Sequence, residues 1–360
     1  MTRSLLALHA TDPATVYLSV AARVKTADHA ALERAQYEDG LLVRMLAMRR
    51  TMFVVTAEAA PIVQVAACDA VAAQIKRRYG QLLEQAGIAT DGAHWLERAC
   101  EAAVAALRVQ GDLTGAELGR AVPVLQTKIS LAEGKAYGAT VNVTAWVTTQ
   151  LAAEGRIRRG RPLGSWTGNQ YRWHVADPPP SPPRAGAREA ARARLVAAWL
   201  QAFGPATVAD VKWWTGWTLG ETRLALAALD TVPVDLDGVA GVALAEDAEP
   251  VQDAAPWVAL LPALDPTPMG WVGREWYLGE HAPAVFDRSG NVGPTVWADG
   301  RIVGGWAQRR SGEVVFRLLD DVGLAAQAEV ARLAERMQAV IGGMRVTPRF
   351  RTPLERELSA

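Results

Sequence analysis

Apolar positions along this chain recur with helical spacing, then with the short runs of strands, and the alternation repeats. Behind Asp12-Pro13, an Asp N-cap followed by Pro at the first helical position, Val16, Val20 and Val24 mark one helical stripe. The apolar run Leu5, Leu6 and Leu8 ahead of it reads as a further helix, and Ala30 to Glu38 as another, closed by Gly40. Leu41–Met45 and Thr51–Val55 then form a strand pair. Three helices followed by a β hairpin is the winged-helix order.

That order returns twice. Alanine-rich helices span roughly 57–86 and 93–110, a capping box opens at Thr114 with Glu117, and a helix from Thr140 buries Val143, Val147 and Leu151 before stopping at Gly155. The hairpin Ile157–Pro162 with Gln170–Trp173 follows. Residues 178–183 read Pro-Pro-Pro-Ser-Pro-Pro, a stiff linker that joins neither helix nor inner strand. Beyond it come helices Ala187–Phe203, Thr207–Trp214 and Leu219–Leu229, then strands Val232–Leu236 and Val239–Ala245. The remainder is mainly β, with a tight turn at Asp299-Gly300 and a last helix from Leu324 to Ile341. The predicted class is α+β. Its divisions are 1–90, 91–177, a linker at 178–186, a third winged helix at 187–250 and a C-terminal β domain at 251–360.

Half of the 360 residues are apolar and 21% are charged, as in globular proteins. Cys68 and Cys100 form no Cys-x-x-Cys pair and read as inert buried thiols in a reducing compartment. Neither an export signal nor an apolar stretch of bilayer length is visible, so the expectation is a cytoplasmic, nucleoid-associated protein without membrane contact. The five histidines show no ligand spacing, and neither metal nor cofactor is expected.

The net charge of zero conceals an asymmetry. From Gly155 to Ala176 stand five arginines, Arg156, Arg158, Arg159, Arg161 and Arg172, and no acid. From Leu224 to Gly273 stand eight acids and no Lys or Arg. A DNA contact is therefore expected to be local, on the basic hairpin, although such arginines also serve as a solvated strand edge. Thr140, Thr144 and Thr148 with Asn142 form a stripe that faces either a groove or water. The thirteen tryptophans read mainly as core.

The segments His9-Ala10-Thr11-Asp12-Pro13 … Tyr17–Arg23 and Met48-Arg49-Arg50-Thr51–Val55 resemble the AlkZ-like (YcaQ-like) winged-helix DNA glycosylases. Gly155-Arg156-Ile157, Leu260–Pro266 and the hairpin Trp297–Trp306 fit the same family, and the likeness runs nearly end to end. It implies tandem winged helices around DNA, a C-terminal β barrel, and removal of alkylated purines. Some relatives unhook interstrand crosslinks or protect producers of DNA-alkylating natural products. Arg49 and Arg50 join the residues expected on DNA. In the family a Gln-x-Gln or Gln-x-Asp triplet carries the chemistry; here the matching triplet is His9-Ala10-Thr11, with only eight residues ahead of it. That marks either a truncated start or a divergent His-x-Thr subgroup.

An N7-alkylated purine is already cationic and leaves readily, so the resemblance asks for a positioned water and little else. His9 would accept the water proton, Thr11 orient the water, and Asp12 place negative charge near the sugar. The competing assignments are a plain N-cap for Asp12, a core imidazole for His9 and a second capping hydroxyl for Thr11. The expected function is a monomeric, monofunctional glycosylase of base excision repair, acting on N7-alkylguanine-type lesions, bulky adducts or crosslinks in duplex DNA. The alternative is a winged-helix regulator or lesion binder without turnover.

Overall fold

The computed structural model describes residues 1–131, 139–176, 185–249 and 254–360. The polyproline run and the junction at 250–251 lie outside the described residues.

The apolar run near the N-terminus is a strand and not a helix. β1 (Ala7–His9) pairs antiparallel with β3 (Met52–Thr56), which pairs with β2 (Leu42–Leu46), giving the order β1-β3-β2. Long-range pairing here overrides the local pattern. Residues 1–56 therefore hold two α-helices, α1 (Pro13–Ala21) and α2 (His29–Tyr37), where three were expected. Strand alternation then sorts the side chains. Ala7, Val43, Met45, Phe53 and Val55 pack on one face, against Trp199 and its neighbours. Leu8, Leu46, Met52 and Val54 pack on the other, against α1 and the C-terminal sheet. A sheet buried on both faces explains why Met52–Val55 is apolar without interruption.

The short α3 (Ala60–Val63) runs through a π turn at Gln64–Cys68 into α4 (Asp69–Gln85), which packs on α5 (Gly92–Gln110). Their approach needs glycine, since a Cβ on Gly92 would lie 2.0 Å from the Gly80 carbonyl oxygen. α6 (Gly115–Ala121) opens with the expected Thr114–Glu117 capping box. β4 (Lys128–Leu131) and β5 (Ala139–Asn142) form a hairpin before α7 (Thr144–Ala153). Thr140 thus belongs to a strand, opposite Ser130, and does not share a helix face with Thr144 and Thr148. The β-branched Thr140-Val141 pair favours the ladder over another helical turn. β6 (Ile157–Pro162) and β7 (Tyr171–Val175) form the basic hairpin.

α8 (Ala187–Phe203), α9 (Val208–Thr215) and α10 (Leu219–Ala227) precede the hairpin β8 (Thr231–Leu236) and β9 (Val239–Leu244). The last region holds β10 (Val258–Leu261), α11 (Glu275–Leu278), α12 (Ala282–Val285), β11 (Thr295–Ala298), β12 (Arg301–Gln308), β13 (Val314–Leu318), α13 (Gly323–Ile341) and α14 (Pro353–Leu358). Asp299 and Gly300, both left-handed at φ 45° and 84°, form the tight turn. The sheet is an open antiparallel meander, β10-β11-β12-β13, and not the barrel that the resemblance implied. α13 packs on both edge strands, β10 and β13, so a helix stands where the strands would have to meet. No described helix is long and apolar enough to cross a membrane.

Candidate functional site

The triplet begins in β1. His9 lies opposite Phe53, the Ala10 amide donates to the Met52 carbonyl at 2.8 Å, and the chain then turns into α1. His9 is 6% exposed, its ring centroid 5.3 Å from that of Phe53. Burial, aided by the nearby Arg49 guanidinium, lowers its pKa to about 3, so the imidazole is neutral at physiological pH. Its Nδ1 is buried without a hydrogen-bond partner among the described residues.

Asp12 caps α1, accepting from the Ala14 amide at 3.1 Å, which makes it and not Thr11 the cap. Its second oxygen accepts from the Arg349 amide at 3.0 Å. Burial raises its pKa, while those two amides and the Arg349 and Arg44 guanidiniums oppose the rise. Thr11 is half-buried, and its carbonyl accepts from Arg349 Nη1 at 3.5 Å. Arg44 donates to the Ala10 carbonyl.

Two arginines that sequence reasoning missed therefore grip the triplet backbone. The signal for Arg44 was present: a lone cation inside the apolar strand Leu42-Val43-Arg44-Met45-Leu46. A second missed group fastens α1 to the C-terminal region. Arg23 forms a bidentate pair with the fully buried Asp265 at 2.6 and 2.8 Å, and Ser19 Oγ donates to the same carboxylate at 2.8 Å.

The basic hairpin is less free than its sequence indicates. Arg156 pairs with Glu101 and Glu154, Arg161 with Glu33 and Glu38, and Arg172 with Glu117. Pairs of this exposed kind are worth about 0–1 kcal/mol, so a phosphate competes for these cations at little cost. Arg158 and Arg159 take part in no ion pair among the described residues. Arg159 turns inward, its guanidinium 4.4 Å from the Tyr171 ring centroid, and burial lowers its pKa to about 10.

Asn142, Thr144 and Thr148 do meet, along an open groove of about 920 Å³ lined also by Arg120 and Lys128 and, among the described residues, by no carboxylate. Within it Asn142 is exposed, Thr144 Oγ1 donates to the Leu125 carbonyl at 2.8 Å, and Thr148 is buried. Arg50 is exposed, whereas Arg49 lies over Trp213 at 3.9 Å, with Arg274 5.0 Å from the same ring. Both Arg49 and Arg50 have positive φ, 54° and 58°, a conformation non-glycine residues adopt at a cost. No group of three or more His, Cys, Asp or Glu is placed to hold a metal ion among the described residues.

In fold, the chain is similar to the DNA glycosylase AlkZ of Streptomyces sahachiroi, with a TM-score of 0.71 and 20% identity over 93% of this chain and 89% of that one. No curated protein matches it in sequence. The sequence profile described as DNA glycosylase AlkZ-like matches residues 2–340, nearly the whole length, and the chain belongs to that AlkZ-like DNA glycosylase family.

Proposed function

We propose that this protein hydrolyses the N-glycosidic bond of alkylated purines in duplex DNA, with His9, Thr11 and Asp12 as its site. The lesion class is N7-alkylguanine, including bulky adducts and crosslinks, and the protein acts as a monomeric, monofunctional glycosylase without metal or cofactor. In this reading the three helix–hairpin sets are winged helices. The groove at Asn142, Thr144 and Thr148 and the hairpin arginines meet the DNA backbone.

The observation that carries the reading is a neutral imidazole with an unpartnered buried nitrogen, standing where the family places a glutamine. Neutral His9 accepts a proton from water; imidazolium does not. A base of such low pKa is a weak one, so its contribution falls near the lower end of the usual range, about 10² in rate. That is sufficient for a leaving group that already carries positive charge. Asp12 accepts an amide on each oxygen, contacts that favour its charged form against burial, and in this reading it stands beside the sugar, where an oxocarbenium-like transition state develops positive charge.

A second reading, a DNA-binding protein without turnover, draws on the same burial: His9 is covered by Phe53 and both Asp12 oxygens are engaged. The two readings separate on the fate of the base. Under the first, free N7-methylguanine appears in solution, before any heat or alkali, faster than the same duplex loses it alone; under the second, the duplex only shifts in mobility.

A further inference from the structure

A cavity of about 600 Å³ lies along the free edge of β2, between that strand, α3 and the base of the β6–β7 hairpin. Its volume is in the range of small-molecule sites, ~300–1,000 Å³. Arg44, Arg158 and Arg159 line it, and among the described residues no Asp or Glu does. Gln64, its other long polar side chain, already donates to Asp69 and to the Ala153 carbonyl. The rest of the wall is apolar, with Leu46, Met52, Val65 and Ile157 prominent.

Three guanidiniums around one space without a counter-charge are costly unless an anion joins them. Arg44 is 9% exposed, and its Nε–H is buried without a partner among the described residues, as is that of Arg159. Arg159 is held in place by stacking on Tyr171 and Trp173, so its cation is fixed before any ligand arrives. Arg44 also touches the triplet directly through the Ala10 carbonyl. An occupant on Arg44 therefore acts on the backbone between His9 and Thr11.

We infer that this cavity receives one nucleotide of the DNA strand, its phosphate on the three arginines and its sugar and base on the apolar wall. The inference rests on DNA being the substrate and not on base release. It adds Arg44 as a positioning residue that couples the seated phosphate to the triplet.

Calorimetry on the full chain compares 5′-deoxyguanosine monophosphate with deoxyguanosine, and fluorescence anisotropy follows an N7-methylguanine duplex. The monophosphate should bind at least ~10-fold more tightly than the nucleoside, the scale of a charge-assisted hydrogen bond. It should also compete with the duplex. Two variants remove different features: Arg158→Gln a charge, and Ala57→Trp the space at the exposed rim. Each should weaken monophosphate and duplex by about tenfold, with a melting curve like the parent's. Equal binding of nucleoside and monophosphate, or variants that bind like the parent, overturns the pocket. Loss of monophosphate binding with unchanged duplex affinity assigns the pocket to a free nucleotide and overturns the DNA strand as its source. A parent that passes these tests yet releases no base removes the glycosylase reading and leaves the pocket standing.

Discussion

At the scale of single residues, burial decides the chemistry. A solvent-exposed histidine titrates near pH 6.5, but His9 is held neutral down to about pH 3. Base release by the wild type should therefore be flat between pH 5 and 8, which a single-turnover pH profile measures; an acid limb centred near 6.5 would place the working base elsewhere. The same shift makes His9 a stability group. Unfolded chains bind its proton below about pH 6.5 and the native state does not, so stability is full above that value and declines by roughly 1.4 kcal/mol per unit as pH falls toward 3. His9→Gln should remove this share of the acid sensitivity, read from urea melts at pH 4.5 and 7.5. Asp12 separates a cap from a charge. Asp12→Ala should cost about 1–2 kcal/mol as a lost cap. Asp12→Asn keeps an oxygen for Ala14 but turns an amide donor toward the Arg349 N–H, so it should destabilise the link to Arg349 while α1 stays capped.

At the scale of elements, the informative failures are where distant chain decided local structure. Helices α5, α8 and α13 and both hairpins of the second and third sets were legible, because their periodicity, caps and turn residues are encoded within each segment. Residues 7–9 were not, because Leu5-Leu6-Ala7-Leu8 suits a helix until β3, at Met52–Thr56, offers a sheet edge. Thr140 likewise follows its partner Ser130 into a strand. The arginines were legible as a cluster, but their ion partners Glu33, Glu38, Glu101 and Glu117 come from other elements, beyond what a charge count along the chain can reveal. The Arg23–Asp265 pair was hidden for the same reason. Removing one partner of a buried pair leaves the other uncompensated, so Arg23→Ala should cost about 3–5 kcal/mol in denaturant unfolding. On DNA, Arg158→Gln should lower the slope of log affinity against log salt by about 0.9. Arg172→Gln, whose cation already faces Glu117, should lower it by less.

At the scale of the whole molecule, the cores cross the proposed divisions. One joins residues of 6–68 to residues of 191–244, and another joins the opposite face of the same small sheet to the C-terminal sheet and α13. A central sheet covered by both later regions ties the triplet's geometry to the third and C-terminal regions. Fragments 1–177 and 185–360 expressed separately should each expose apolar surface and bind a hydrophobic dye, and should recover one compact species on mixing; two stable monomeric fragments would contradict the shared core. The same arrangement sets His9 against Phe53, whose ring meets Trp214 of α9, with the Arg49 guanidinium near the imidazole, while Arg349 reaches Thr11 and Asp12 from the far end of the sequence. The central claim is that this assembled triplet removes alkylated purines. Its most direct test is single-turnover release of free N7-methylguanine from duplex DNA by the wild type and by His9→Ala, at equal occupancy of the DNA. The account predicts release by the wild type and a loss of about 10² in rate for the variant with binding unchanged; no release by the wild type, or equal rates for the two proteins, would contradict it.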